Sequence, residues 1–186
     1  MRTSGPCSVV GRVCPGPRHR ARPLNPIVRS VPSQRGRMLF LLDANAVNAR
    51  QRDAALNELE QLAQAGQIEL EYTQVTYDEA SVGCAKRAEK AAKLTWTGGN
   101  EDSEFPAMWR KPIADAVFPR GVQSQSQAND VTALVTAKLC GGIFVTSDGA
   151  SNSQPRGILG SRQALAALGI TVVSPTEALA IAKART

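Results

Sequence analysis

Five consecutive apolar residues, Met38, Leu39, Phe40, Leu41 and Leu42, end on an acid, Asp43. A strand with one wet face alternates apolar and polar residues. An unbroken apolar run of this length instead reads as a strand buried on both faces, the condition of a parallel sheet covered by helices on each side. The residues that follow keep to that plan. Over 49–65, Leu56, Leu59, Leu62 and Ala63 fall on one helical face and Gly66 supplies a stop. Ile68, Leu70 and Tyr72 then alternate with Glu69, Glu71 and Thr73, predicting a strand with one wetter face, at a sheet edge. A second helix is expected to begin near Thr76.

The rhythm fails over 94–125, where Gly98, Gly99, Pro106, Pro112, Pro119 and Gly121 interrupt the chain, and an irregular insertion with no long element is predicted there. Trp96 and Trp109 lie in it. Their rings have the chemistry to stack on bases, although covering the core is the simpler role. Regularity returns with a helix over 129–140 (Val131, Leu134, Val135 and Leu139 inward), a strand at Ile143–Thr146, a helix over Ser161–Leu168 closed by Gly169, and a strand in Ile170–Val173. Ser174, Pro175 and Glu177 form the capping box of a last helix. Alternating strand and helix give the α/β class, expected as a three-layer α/β/α sandwich on a mainly parallel central sheet.

Charge divides the chain at the same place. Residues 1–37 hold eight Arg, six Pro and four Gly with no Asp, Glu or Lys. Such a segment buries too little apolar surface to order itself, and it is read as a disordered leader preceding one folded unit over 38–186. A transit peptide, a basic RNA-binding arm and translated sequence upstream of a true start at Met38 all account for it. Six Pro oppose the amphipathic helix of a transit peptide, and the absence of Lys from a leader whose body carries all six favours the start at Met38. The formal charge of +6 belongs to the leader: without its eight Arg, 14 basic residues face 16 acidic ones, about −2. No apolar run approaches the roughly 18 residues of a membrane span, so a cytoplasmic protein with no membrane partner is expected. Cys7, Cys14, Cys84 and Cys140 form no CxxC pair and have no His at zinc-finger spacing, which argues against a disulfide framework or structural zinc. The only His, His19, lies in the leader and makes a poor catalyst.

The chemistry therefore rests on carboxylates. Asp43, Glu79, Asp130 and Asp148 each stand where a strand ends or a helix begins, and such positions in an open α/β sheet converge on the carboxyl edge of the strands. Oxygen ligands drawn from several elements suit Mg²⁺ or Mn²⁺, and a metal so held supports phosphodiester hydrolysis. Three of the four have a purely structural reading. Glu79 follows Thr76 at capping-box spacing, Asp130 favours a helix dipole, and Asp148 before Gly149 forms turns. Asp43, directly after a buried strand, has none.

The order LFLLDANAVN, an acid after the second strand, then NDVTALVTAKLCGGIFVTSD resembles the PIN domain nuclease family, including its VapC-type toxin ribonucleases. The likeness spans 38 to about 180 and is weak across 94–125. It implies that Asp43, Glu79, Asp130 and Asp148 are the catalytic, metal-binding acids. It also implies that Asn45 is the Asn of the opening D-x-N and that Thr146 is the hydroxyl beside the last acid. The same resemblance implies an RNA substrate, an antitoxin or other protein partner, and a homodimer. PIN proteins often carry a further acid after the last one. Here Gly149, Ala150, Ser151 and Asn152 follow, which leaves Asn152 as a substitute or a site for one metal rather than two. Asp78 is the alternative to Glu79. RNA contacts are expected from Lys86, Arg87, Lys90, Lys93, Arg110 and Lys111. A catalytically degenerate RNA- or protein-binding module competes with the endoribonuclease. So does a haloacid-dehalogenase-type phosphatase using Asp43 as nucleophile, although its second acid is missing.

Overall fold

The computed structural model describes residues 36–49, 52–81, 95–97, 104–149 and 156–185. Residues 1–35 of the leader, Asn152 and the cations Lys86, Arg87, Lys90 and Lys93 lie outside the described residues. Strands β1 (Leu39–Leu42), β2 (Glu69–Thr73), β3 (Thr95–Thr97), β4 (Ile143–Val145) and β5 (Thr171–Val173) form one sheet in the order β3-β2-β1-β4-β5. Every pairing is parallel, with Phe40 opposite Leu70 on one side and Ile143 on the other.

β1 lies at the centre, and Phe40, Leu41 and Leu42 are fully buried, as the unbroken apolar run requires. Alternate residues serve opposite layers. Phe40, Leu42, Val145 and Val173 pack on α1 (Ala44–Ala49), α2 (Ala54–Gln64), α3 (Gln74–Ser81) and α8 (Pro175–Lys183) through Ala46, Val47, Leu56, Leu59, Ala80, Ala178 and Ala182. Leu41, Phe144 and Val172 pack on α4 (Glu104–Val117), α5 (Gln125–Cys140), α6 (Gly157–Gly160) and α7 (Arg162–Ala167) through Ile113, Val117, Leu134, Ile158 and Leu165. The architecture is the α/β/α sandwich that alternation of strand and helix predicts. α8 opens with the predicted capping box, Ser174 accepting from the Glu177 N–H while the Glu177 carboxylate accepts from the Ser174 N–H.

Several elements depart from the sequence reading. β2 is an interior strand: β3 pairs outside it, and the polar alternation of Glu69 and Glu71 reflects half-buried side chains rather than an edge. The helix expected over 49–65 begins at Ala54, because Asp53 caps α2 by accepting from the N–H groups of Ala55 and Leu56, and a separate helix, α1, ends at Ala49. α5 starts at Gln125, capped by Ser124, ahead of the expected 129. The largest correction is α4, a 14-residue helix inside the stretch expected to be irregular. Pro106 falls in its first turn, where no intrahelical N–H bond is lost, and the interior Pro112 is tolerated because Ile113, Val117 and Phe118 are buried against α5 and α7. Trp109 packs on this layer with Lys138 Nζ 4.4 Å from its ring centroid, the core-covering role, while the side chain of Trp96 lies outside the described residues.

Candidate active site at the sheet switch point

From β1 the chain moves outward to β2 and β3, then returns across the sheet to β4 and β5. The loops leaving β1 and β4 therefore part in opposite directions and open a crevice at their carboxyl ends, the usual ligand position in such sheets. Asp43 leaves β1 and Thr146 leaves β4 into that crevice. The ladder continues past the strands, with the Asp43 N–H donating to Val145 O (2.9 Å) and the Thr146 N–H to Val173 O (3.1 Å), so both residues start from fixed backbone.

Asp43 is 5 % exposed. Thr146 Oγ1 donates to its Oδ2 at 2.8 Å and the Ala44 N–H to its Oδ1 at 2.6 Å. The same Thr146 hydroxyl accepts the Asp148 N–H at 2.9 Å, so one oxygen aligns both acids. Asp148 Oδ2 accepts the Ile158 N–H at 3.0 Å, and the Leu159 N–H donates to Asp148 O at 3.1 Å, which ties the loop to α6. Gly157 makes that approach possible: its φ is +59°, and a Cβ there would collide with the Gly149 backbone.

Glu79 and Asp130 enter from α3 and α5. α3 begins at Gln74, so Thr76 is already helical and Glu79 caps nothing. Instead Glu79 Oε1 accepts from Asn129 Nδ2 at 2.9 Å, while Asp78 is exposed and bonded to Gln74. The crevice thus receives Glu79 rather than Asp78. Asp130 is the sixth residue of α5, beyond the first turn where a helix dipole would reward it.

The four acids share one electrostatic environment. Burial raises the Asp43 carboxyl to about 6; the hydrogen bonds from Thr146 and Ala44 oppose the rise, and the charges of Asp148 and Glu79 add to it. Asp130 rises to about 7, first through burial and then through the charges of Asp43, Glu79 and Asp148. Asn45 is exposed and is not part of this hydrogen-bond network. Asn129 and the Ile158 N–H were not anticipated from sequence; Asn129 had only its adjacency to Asp130 to signal it.

The donors are carboxylate oxygens, a chemistry that fits a hard dication. Among the described residues, however, no three or more His, Cys, Asp or Glu are grouped to hold an ion together. The fit is to an ion held by one or two carboxylates with water and phosphate completing its shell, the usual habit of Mg²⁺, rather than to a closed protein cage.

Fold and crevice together define a PIN-like α/β/α sandwich. A chain in the crystal structure of VapBC2 from Rickettsia felis, bound to a DNA fragment from their promoter, superimposes with a TM-score of 0.50 at 13 % identity over 74 % of this chain and 98 % of its own. No family model matches the chain, and no curated protein does. At that identity the likeness is one of fold. No helix among the described residues is long and apolar enough to cross a membrane.

Proposed function

We propose that the protein is a divalent-metal-dependent endoribonuclease hydrolysing RNA phosphodiester bonds, the toxin-like member of a toxin–antitoxin pair that acts as a homodimer. The observation that carries this reading is the Asp43, Thr146, Asp148 constellation at the switch point, with Glu79 close enough to raise the proton affinity of Asp43 and Asp130. The fold-level likeness to a chain of the VapBC2 complex supports the antitoxin partner.

Mg²⁺ or Mn²⁺ would be held by one or two of Asp43, Glu79, Asp130 and Asp148, with the others acting on it through bound water. Bound there, the ion would lower the pKa of a water and stabilise charge on the phosphate oxygens. The chain's own contribution is positional. Thr146 holds Asp43 and Asp148 in register, and Asn129 orients Glu79. An Asp130 that titrates near neutrality is suited to exchange a proton with a water in the crevice.

The test is cleavage of a mixed RNA pool by the full chain with Mn²⁺, then with chelator. Chelation abolishes cleavage, and Asp43→Asn removes it with an unchanged circular dichroism spectrum. Full activity of that variant overturns the assignment. The absence of a ready three-carboxylate group among the described residues favours a second reading, a degenerate fold that binds RNA or protein without cutting. That reading predicts no metal-dependent cleavage and no tight Mn²⁺ site.

A further inference from the structure

Four carboxylates repel the phosphates of an RNA strand, so cations beside them must hold it. Arg110 and Lys111 are already engaged, Arg110 with Thr132 Oγ1 at 2.9 Å and Lys111 with Asp115 at 2.7 Å. Arg120 and Arg156 differ. Both are exposed, and neither side chain has a hydrogen-bond or ion-pair partner among the described residues.

These two arginines line one cavity of about 500 Å³, together with Phe118, Gln123, Gln127 and Ala164. Chain geometry puts it beside the acids. Gln127 precedes Asp130 by one turn of α5, which makes the two neighbours on the helix surface. Arg156 stands two residues before Ile158, whose N–H donates to Asp148. Gln127 Oε1 accepts the Gln123 N–H at 2.7 Å, which fixes its amide and leaves the NH₂ group to donate elsewhere. Asp115 also lines the cavity, its charge offset by Lys111.

We propose that this cavity is a nucleotide subsite for single-stranded RNA, in which Arg120 and Arg156 hold the phosphate next to the scissile one. Gln123, Gln127 and the apolar floor of Phe118 and Ala164 receive its sugar and base. The volume lies in the range of small-ligand pockets, and an unpaired strand can offer a splayed base where a duplex cannot. Two unpaired cations on an apolar floor beside an acidic crevice are complementary to one nucleotide extending away from the cut. The proposal rests on the nuclease reading of the acids.

The test uses the full chain in two assays. In the Asp43→Asn background, a fluorescein-labelled single-stranded RNA ten-mer of mixed sequence is titrated by anisotropy at several salt concentrations. Adding R120A and R156A weakens binding at least tenfold and lowers the slope of log affinity against log salt by about 0.7, the value for the one phosphate charge no longer neutralised. Arg185→Ala, just after α8, which packs on the other face of the sheet from the cavity, changes affinity less than twofold. In steady-state cleavage, R120A with R156A raises KM more than it lowers kcat. Loss of binding in the double variant with no cleavage by any protein defeats the nuclease reading and leaves the RNA site standing. Cleavage with unchanged KM, affinity and salt slope defeats the subsite and leaves the nuclease standing. Absence of RNA binding, or tighter binding of a poly-glutamate peptide than of RNA at the same arginines, also overturns it.

Discussion

The Thr146 hydroxyl donates to Asp43 and accepts from the Asp148 N–H, so it is the smallest unit of the site whose loss should be felt twice. Thr146→Val keeps the volume and strands a buried carboxylate oxygen and an N–H, which costs about 1–3 kcal/mol. It also removes the bond that opposes the upward shift of Asp43, so the acid limb of the pH–activity profile should move to higher pH. A purely structural role would lower the melting temperature and leave that limb in place. Asp43→Asn should behave in the opposite way towards stability. At pH 8 it abolishes cleavage yet raises the melting temperature of the metal-free protein, because it removes a charge that is 5 % exposed and repelled by Asp148 and Glu79. Thermal scans of both variants in chelator check the pair.

Among the elements, the join between the Asp148 loop and α6 is the most exacting. Gly157→Ala imposes a positive φ on an L side chain and drives a Cβ into the Gly149 backbone. The expected cost is about 2 kcal/mol or more, seen as a lowered denaturation midpoint, with cleavage falling further than stability because Asp148 loses the Ile158 N–H. Elements also mark where sequence reasoning held. β1 and α8 are specified locally, by an unbroken apolar run and by a capping box whose partners are three residues apart. α4 was illegible because Pro106 and Pro112 are local breaking signals. The burial of Ile113, Val117 and Phe118 that overrides them comes from packing on α5 and α7, beyond the few residues over which a local signal acts.

For the whole molecule, the acids make stability a function of pH. Asp43 and Asp130 titrate near 6 and 7 when folded, both above their ordinary 3.8. Between those values the folded chain holds protons that the unfolded chain has released. Their contribution is therefore full below about pH 4 and is lost as pH rises through 6 and 7. The chelated protein should melt higher at pH 5 than at pH 8, and Asp43→Asn with Asp130→Asn should flatten the difference. Mn²⁺ should raise the melting temperature more at pH 8 than at pH 5, because metal and proton compete for the same oxygens. Equal stabilisation at both pH values would place the ion elsewhere.

The class of fold is legible in the sequence alone, because strand burial, helix faces and caps are encoded within a few residues of one another. The sequence left Glu79 and Asp78 interchangeable, and offered capping, dipole and turn roles that competed with the crevice for Glu79, Asp130 and Asp148. Contacts between elements far apart in the chain bear on these alternatives. Thr146 reaches Asp43 across 103 residues of chain and Asn129 reaches Glu79 across 50, and a hydrogen bond over such separations exists only once the sheet has brought the elements together. The raised proton affinities of Asp43 and Asp130 have the same origin: burial and repulsion depend on what surrounds a carboxylate in space.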